Sequence, residues 1–430
     1  MAKPRPPLPG GPYLVLGLAR SGVAVALALR ARGEEVIGCD AGASTEPRLA
    51  DAARRLSAAG VEVQLDASGV ALAARARTLI KSPGVPQSAP LVVVTRSRGR
   101  PVLGELEVAW RLLENEFVAV TGTNGKTTTT EWIGHIHREA GLPVAVAGNV
   151  GTAASSLIGE IDPASTVVCE ASSFQLEDAD AFAPEAAVLL NLEPDHLDRH
   201  GSMEAYTAAK LRIFANQDHD DIAVVPPDGI SISTPARVIR YGDGPERELA
   251  EEIELPGDHN RQNGMAAAAT CLARGVDADA VARGLRTFAG VTHRLERIAE
   301  LDGVEWINDS KATNVASTLV GLRSFAGGVH LIAGGRGKGQ DFSPLAPLVA
   351  ERCVAAYLIG EAAPELKIVL EPTQVELHDA GDLTRAVALA RGRVRRGESV
   401  LLSPACASYD QYRDFEARGE HFRRLVEGTE

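Results

Sequence analysis

Short apolar segments rich in β-branched residues alternate with alanine-rich helical patterns along almost the whole sequence. Such an alternation of strands and helices is typical of parallel sheets whose faces are covered by helices. Many of the apolar segments end in Gly, Ser, Thr or Asn, as expected where the loops after parallel strands bind a ligand. The sequence therefore predicts an α/β fold with its candidate sites in the loops that follow the strands.

The predicted elements extend over most of the chain. The predicted strands include Tyr13–Gly17, Glu35–Cys39, Phe117–Thr121, Thr166–Glu170, Ala187–Asn191, Val304–Asn308, Val329–Gly334 and Ser399–Ser403. The predicted helices include Val23–Arg32, Thr127–Ala140, Glu204–Ala215 and Leu383–Arg395. A length of 430 residues corresponds to about three domains. We expect these domains, called the first, second and third blocks below, over residues 1–104, 105–290 and 291–430.

Composition and charge argue against several classes of protein. Hydrophobic residues make up 45% of the chain and charged residues 23%, which is typical of a soluble globular protein. The 44 basic and 57 acidic residues give a net charge of −13, so we expect no nucleic-acid partner and no membrane attachment. The proline-rich N-terminal segment lacks the apolar region of a secretion signal. Five scattered cysteines predict reduced thiols and a cytoplasmic protein.

A first glycine-rich turn follows the first predicted strand. Gly17 and Gly22 resemble the outer glycines of a dinucleotide-binding turn, but Ala19 stands where a glycine normally lets the backbone approach a pyrophosphate. Asp40 ends the second strand, where an acid that binds ribose is expected. These residues leave three interpretations open: a nicotinamide cofactor, which Ala19 disfavours, another nucleotide-like ligand, which we favour, and a structural turn.

A second loop gives a stronger indication. In VAVTGTNGKTTTT, a Gly-Lys-Thr triplet at 125–127 follows an apolar strand and precedes a helix. Backbone N–H groups of such a loop bind phosphate oxygens, the lysine reaches the outer phosphates and the hydroxyl holds Mg²⁺. Val120 replaces the first glycine of the usual pattern, and Gly122 gives a shortened variant. We therefore predict that the loop binds a nucleoside triphosphate.

Polar residues follow two further strands of the second block. Glu170 ends a strand and occupies the place of a carboxylate that holds Mg²⁺. His196 follows another strand within a group of acidic residues, where hydrogen bonding and metal binding are both open interpretations. Lys210 lies in a helical pattern, which by itself favours a solvated basic face, since an ammonium group cannot ligate a cation.

The third block carries polar clusters after three predicted strands. They comprise residues 308–314, the glycine-rich loop 334–339 and residues 403–410. Because such loops meet at one edge of a parallel sheet, we expect a ligand site there. Lys338 lacks the neighbouring Ser or Thr of a phosphate loop, so a carboxylate is its more natural partner.

These segments together resemble the Mur ligases of peptidoglycan synthesis. The motifs occur in order over nearly the whole chain: TGTNGKTT (121–128), GNVG (148–151), EASSFQLE (170–177), NLEPDHLDRH (191–200), AAKLRIF (208–214), GDHNRQN (257–263), HRLE (293–296), NDSKATN (308–314), GGRGKGQDF (334–342) and SPACASYDQYRDFEARG (403–419). The resemblance implies three domains: Rossmann-like domains at both ends and a central P-loop ATPase-like domain with a mostly parallel sheet. The motifs at 308–314 and 403–419 are similar to those of the branch that adds D-glutamate.

The resemblance also implies a function. We expect an ATP-dependent ligase that adds D-glutamate to UDP-N-acetylmuramoyl-L-alanine through an acyl phosphate, in precursor synthesis in the cytoplasm. Its cofactors would be ATP and two Mg²⁺ ions, and we expect a monomer. Two alternatives remain, a sibling ligase for another amino acid and a non-catalytic nucleotide-binding regulator.

The matching positions supply the expected site residues. The implied catalytic residues are Lys126, Glu170, His196, Lys210 and Arg294. The implied ATP contacts are Gly122, Thr123, Asn124, Gly125, Lys126, Thr127, Thr128, Asn260, Asn263, Arg294 and Asp309. The precursor contacts are Arg20, Ser21, Asp40, Gly84, Asn149 and His196, and the D-glutamate contacts are Lys311, Thr313, Lys338, Ser408 and Phe415. The metal ligands are Thr127, Glu170, His196 and Lys210, the last as a carbamate. The family often has a hydroxyl residue where Ala41 stands.

Overall fold

The structure is a computed structural model that describes residues 3–149, 151–227, 229–255, 257–337 and 339–429. The chain divides into two compact units, Met1–Phe288 and Ala289–Glu430. Within the described residues the strands form three sheets, two in the first unit and one in the second. The predicted α/β class is therefore confirmed, while the three proposed domain boundaries stay predictions.

The first sheet is parallel and has the order β3-β2-β1-β4-β5. Its strands are β1 (Tyr13–Leu16), β2 (Val36–Cys39), β3 (Glu62–Gln64), β4 (Thr78–Lys81) and β5 (Val102–Gly104). The helices are α1 (Arg20–Ala31), α2 (Pro47–Ala58) and α3 (Pro90–Ser97). Strand order reverses between β1 and β4, and ligands of open parallel sheets bind at such a switch point.

Helix α4 (Glu105–Leu112) leads to the second parallel sheet, of order β11-β10-β9-β6-β8-β7. Its strands are β6 (Phe117–Thr121), β7 (Val144–Gly148), β8 (Thr166–Glu170), β9 (Ala186–Leu189), β10 (Ile222–Val225) and β11 (Arg237–Arg240). The helices are α5 (Lys126–Glu139), α6 (Ser173–Leu176), α7 (Leu197–His200), α8 (Met203–Leu211), α9 (Glu246–Leu249), α10 (Asp258–Ala273) and α11 (Ala278–Thr287). Strand β6 lies between β8 and β9, so the loops after these strands meet at one edge.

The second unit contains a sheet of order β12-β13-β17-β14-β15-β16, in which β12 pairs with β13 in the antiparallel direction and the other pairs are parallel. Its strands are β12 (Glu296–Leu301), β13 (Val304–Asn308), β14 (Val329–Gly334), β15 (Cys353–Ile359), β16 (Glu376–Gly381) and β17 (Ser399–Leu402). The helices are α12 (Val315–Arg323), α13 (Leu345–Arg352), α14 (Ala363–Leu370), α15 (Leu383–Arg391) and α16 (Phe415–Glu427). Strands β13, β17 and β14 are neighbours, so the predicted polar clusters share one edge.

Helix α1 differs from its prediction. It begins at Arg20, three residues before the predicted start at Val23. The early start is possible because Gly22 has no side chain, and a Cβ there would overlap the carbonyl oxygen of Gly17. The first turn of α1 therefore packs directly on the glycine turn. Helix α15 also ends earlier than predicted, at Arg391, before Gly392.

Candidate active site

The loop between β6 and α5 has the conformation of a phosphate-binding loop. Gly122 and Gly125 have φ angles of +151° and +83°, values that favour glycine. Gly125 is the N-cap of α5, and a Cβ there would overlap the amide oxygen of Asn263 on α10. The loop thus opens a helix whose amino end favours anions. The predicted nucleotide residue Asn263 lies against it.

The carboxyl end of β9 braces this loop. The amide N–H of Asn124 donates to the Asn191 side chain over 2.8 Å, and its side chain donates to Glu193 over 2.9 Å. The Thr123 N–H donates to the Asn191 carbonyl over 3.0 Å. We did not predict Asn191 as a site residue. Asn191 ends the predicted strand Ala187–Asn191, and this position is the sequence feature that could have identified it as a site residue.

Lys126 lies along the inside of the loop. Its ammonium group donates to the carbonyls of Gly122 over 3.0 Å and Thr123 over 2.8 Å. The positive charge is therefore at the concave side of the loop, where the outer phosphates of a nucleotide bind.

Glu170 lies beside the loop, as predicted from its position at the end of β8. The Thr127 hydroxyl donates to one Glu170 oxygen over 2.6 Å, and the Asn149 amide donates to the other over 3.1 Å. Glu170 is buried, so its carboxylate is held in one orientation.

The Thr127 and Glu170 oxygens are the donors that Mg²⁺ prefers. Within the described ranges, no cluster of three or more His, Cys, Asp and Glu side chains forms a complete metal site. A Mg²⁺ ion here would therefore take its other ligands from phosphate oxygens and water, as it commonly does. The chemistry of the two residues fits this ion.

Lys210 is buried beneath the same loop, with 1% of its surface exposed. Its ammonium group donates to the Gly122 carbonyl over 2.6 Å and lies 4.7 Å from the centre of the Tyr206 ring. Burial and then the nearby Lys126 charge lower the pKa of Lys210 to about 7, although Asp195 and Glu170 act in the opposite direction. The solvated basic face that the helical pattern favours is therefore wrong, because α8 turns Lys210 under the loop.

His196 lies on the other side of this region and has a φ angle of +51°. Its ring is 4.8 Å from the ring of Phe174, and Nε2 lies 3.5 Å from the Asp195 carboxylate. Almost half of the side chain is exposed. Its predicted roles in metal and precursor binding stay predictions.

Four of the predicted precursor residues, Arg20, Ser21, Asp40 and Gly84, follow strands of the first sheet, whereas Asn149 and His196 follow strands of the second. The two Asp40 carboxylate oxygens accept the N–H groups of Leu18 over 2.6 Å and Gly42 over 2.8 Å, which fixes the glycine turn. Arg20 donates to the Gly151 carbonyl over 2.7 Å. Ser21, partly buried, lies in the first turn of α1, and exposed Gly84 lies in the turn after β4. The two sheets of the first unit therefore contribute to one region.

In the second unit, Asp309 holds a tight turn that contains Arg294. The Asp309 carboxylate accepts the Ser403 hydroxyl over 2.7 Å and the Leu295 N–H over 3.2 Å. His293 and Leu295 have φ angles of +64° and +44°, so the turn is held in a conformation that these residues rarely adopt. Burial raises the pKa of Asp309 to about 7, against the hydrogen bond from Ser403 and the charge of Arg294.

The residues predicted for D-glutamate lie around the same edge. The N–H of Lys311 donates to the His293 carbonyl over 3.0 Å, and the Thr313 N–H donates to the Lys311 carbonyl over 2.8 Å. Ser408 is buried, and the Phe415 ring meets the His293 ring edge-on at 6.2 Å. Lys338 lies outside the described residues.

Arg418 was not predicted, although it lies in the last of the quoted motifs. Its guanidinium donates to the Ser310 hydroxyl over 3.0 Å, the Ser310 carbonyl over 2.9 Å and the Cys406 carbonyl over 3.1 Å. Its side chain is 1% exposed, and burial lowers its pKa to about 10. Arg418 thus joins two of the polar clusters that the sequence predicts at this edge.

Comparison with known proteins shows to which family the chain belongs. The model of the Mur ligase middle domain matches residues 120–243, and that of the Mur ligase glutamate ligase domain matches residues 293–406. A UDP-N-acetylmuramoylalanine–D-glutamate ligase from Acidobacterium capsulatum is 41% identical over 97% of this chain and 96% of its own. The chain belongs to the Mur ligase family. A relative of the same name from Anaeromyxobacter dehalogenans is 42% identical over 98% of both chains.

Solved Mur ligase structures share the fold at lower sequence identity. A MurF ligase from Thermotoga maritima in complex with ADP superposes with a TM-score of 0.60 at 15% identity, covering 92% of this chain and 96% of that chain. The UDP-N-acetylmuramate-alanine ligase of the same organism gives 0.58 at 18% identity, covering 98% and 100%. These likenesses confirm the predicted fold, with Rossmann-like domains at both ends of the chain and an ATPase-like domain in the middle of the sequence.

Membership in the Mur ligase family also confirms the predicted enzyme class, an ATP-dependent ligase that forms amide bonds. The non-catalytic regulator is thereby disfavoured, as is the oxidoreductase that a nicotinamide cofactor at the first glycine turn would imply. Among the residues that the structure describes, no helix is both long and apolar enough to cross a membrane.

Proposed function

We propose that this Mur ligase adds D-glutamate to UDP-N-acetylmuramoyl-L-alanine, with ATP converted to ADP and phosphate. The observation that carries the proposal is the identity of 41–42% to two ligases of that name over 97–98% of the chain. The phosphate-binding loop with Glu170 at its side provides the chemistry for the first step. Small molecules are its partners, and we further propose that it acts as a monomer in the cytoplasm.

The alanyl carboxylate of the precursor attacks the γ-phosphate of ATP and forms an acyl phosphate, with ADP as the leaving group. Lys126 and Arg294 offset the charge on the transferring phosphoryl group. Thr127 and Glu170 would hold Mg²⁺, which would supply further charge neutralisation. The amine of D-glutamate then attacks the acyl carbon, and phosphate leaves. A free carboxylate resists attack by an amine, and the phosphoryl group activates it for that attack.

A second Mg²⁺ ion is part of the proposal, with His196 and a carbamylated Lys210 as its ligands. The depth of Lys210 beneath the phosphate loop supports this assignment, because an ammonium group there opposes the nearby Lys126 charge. Carbamylation would turn that cation into an oxygen ligand. Mass spectrometry after gentle trapping of the carbamate would detect the modification.

The proposed function also assigns residues to the binding of ATP, the precursor and D-glutamate. The loop residues Gly122 to Thr128 bind the triphosphate, and Asn260, Asn263, Arg294 and Asp309 are further contacts of ATP. Arg20, Ser21, Asp40, Gly84, Asn149 and His196 bind the precursor. Lys311, Thr313, Lys338, Ser408 and Phe415 bind D-glutamate. The hydrogen bonds of Asp40 within the glycine turn support its place beside the uridine nucleotide.

The test is phosphate release by the purified protein with Mg²⁺-ATP, UDP-N-acetylmuramoyl-L-alanine and one amino acid at a time. Release that requires D-glutamate, with the amide product identified by mass, is the expected result. Release with a different amino acid would retain the ligase chemistry and overturn the substrate. Tight ATP binding without product for any amino acid would favour the non-catalytic alternative.

A further inference from the structure

The loop after β4 is held from two sides by cations, the buried Lys81 and the partly buried Arg199. This precursor loop, defined as residues 82–85, follows Lys81 at the carboxyl end of β4. The Ser82 hydroxyl donates to the Gly17 carbonyl over 2.6 Å, so the loop is also joined to the glycine turn after β1. Any displacement of the precursor loop would therefore move both parts of the switch point.

Lys81 extends from the first sheet to the segment between α6 and β9. Its side chain is fully buried, and its ammonium group lies 2.8 Å from the Asp178 carboxylate, which is 1% exposed. The same ammonium group donates to the Val85 carbonyl over 2.8 Å. The other Asp178 oxygen accepts the Gln87 side chain over 2.9 Å. One buried ion pair thus connects the precursor loop to the segment after α6.

Arg199 of α7 holds the same loop from the opposite side. Its guanidinium donates to the carbonyls of Pro83 over 2.9 Å, Gly84 over 3.1 Å and Val85 over 2.7 Å. It also lies over the Phe174 ring at 4.3 Å. Phe174 belongs to α6, which begins three residues after Glu170. The contacts therefore run from the precursor loop to the carboxylate beside the phosphate loop.

We propose that Lys81 and Asp178 are positioning residues that fix the precursor loop relative to the phosphate loop. This inference rests on the proposed function, because it takes the precursor to bind at residues 82–85. A buried ion pair is often no more stabilising than apolar residues of similar size, whereas loss of one partner leaves an uncompensated charge. The pair is therefore better explained by the geometry that it imposes than by stability.

The test compares Lys81→Met, Asp178→Asn and the double variant Lys81→Met/Asp178→Leu with the wild type. The single variants should lower Tm and raise KM for the precursor roughly tenfold or more, while KM for ATP stays within about twofold. In the double variant Tm should recover, because no buried charge is left unpaired and Arg96, which lies 3.5 Å from Asp178, is 47% exposed, but KM for the precursor should stay raised. Lys81→Arg should restore part of the precursor affinity.

Arg5→Met is the matched control. Arg5 is also a buried cation that joins parts of the first unit, since it donates to the carbonyls of Trp110, Leu113 and Asn115. It lies close to Phe117 at the start of β6, at the opposite end of the strand from the phosphate loop. This variant should lower Tm and leave both KM values unchanged.

Recovery of precursor KM together with Tm in the double variant would overturn the positioning role, as would a parallel rise in KM for ATP. The dissociation constant of UDP-N-acetylmuramoyl-L-alanine, measured by calorimetry, gives the same comparison without turnover. A wild type that binds the precursor but does not use D-glutamate would overturn the proposed function alone. A wild type that binds no precursor would overturn both.

Discussion

Lys126 concentrates the charge of the phosphate loop in one residue, because its ammonium group is held at the loop carbonyls of Gly122 and Thr123. We expect Lys126→Ala to reduce turnover on the order of 10²–10³, the usual loss when a group that stabilises transferring charge is removed. Phosphate release at saturating ATP measures the effect. Lys367→Ala, at an exposed position of α14, is the control and should behave as the wild type. Near-normal turnover of the Lys126 variant would remove this residue from the mechanism.

The raised pKa of Asp309 should make the free energy of unfolding depend on pH. Its pKa is raised to about 7 by burial, against about 3.9 in an unfolded chain, so the folded state binds the extra proton between these values. Its contribution to the free energy of unfolding is therefore present below about pH 4 and lost as the pH rises through 7. Asp309→Asn cannot titrate and should lose about 2 kcal/mol less than the wild type between pH 5 and 7. Urea unfolding at both pH values tests this, and equal slopes would contradict it.

Some residue contacts could be predicted from the sequence and others could not. Glu170 ends β8 and Thr127 follows β6, and the structure brings the two residues together because these strands are neighbours in the sheet. The motifs already indicate that these two strand ends meet. The burial of Lys210 depends instead on which loop covers one face of α8. Lys81 is likewise buried through a partner far along the chain, Asp178. No local pattern specifies such contacts.

At the scale of an element, the junction between the phosphate loop and α5 depends on Gly125. Gly125→Ala should strain a positive φ angle and displace Asn263, so we expect a lower Tm and a raised KM for ATP. Gly141→Ala is the matched control, because Gly141 also has a positive φ but no atom lies within 4 Å of the added Cβ. It should cost only about 1 kcal/mol and leave KM unchanged. Equal effects of the two substitutions would show that the contact with Asn263 is unimportant.

Interior strands were predicted better than edge strands. The bounds of β6, β8, β13 and β14 agree with the sequence-based prediction, because strands buried on both faces have continuous apolar sequences. The edge strands β3 and β11 are polar and largely exposed, so their sequences carry no comparable pattern. The order of strands within each sheet also depends on packing between distant segments. Motif order indicated which loops meet without giving that order.

At the scale of the whole molecule, each compact unit has its own hydrophobic core. In the second unit, apolar clusters cover both faces of the sheet, one around Leu331 and Leu366 and the other around Trp306 and Phe422. We therefore expect the fragment 289–430 to fold without the first unit. Its free energy of unfolding should be on the order of 5–10 kcal/mol, as for a typical domain. Cooperative urea unfolding and a fixed near-ultraviolet circular dichroism spectrum would confirm this.

The same fragment should reproduce the pH dependence that Asp309 causes. The groups that contact it or shift its pKa, including Ser403, Leu295 and Arg294, all lie in the second unit. The difference in slope between wild type and Asp309→Asn should therefore be equal in the fragment and in the full chain. A fragment that unfolds without cooperativity would show that the second unit depends on the first for its core. A cooperative fragment without the slope difference would show that the first unit contributes to the burial of Asp309.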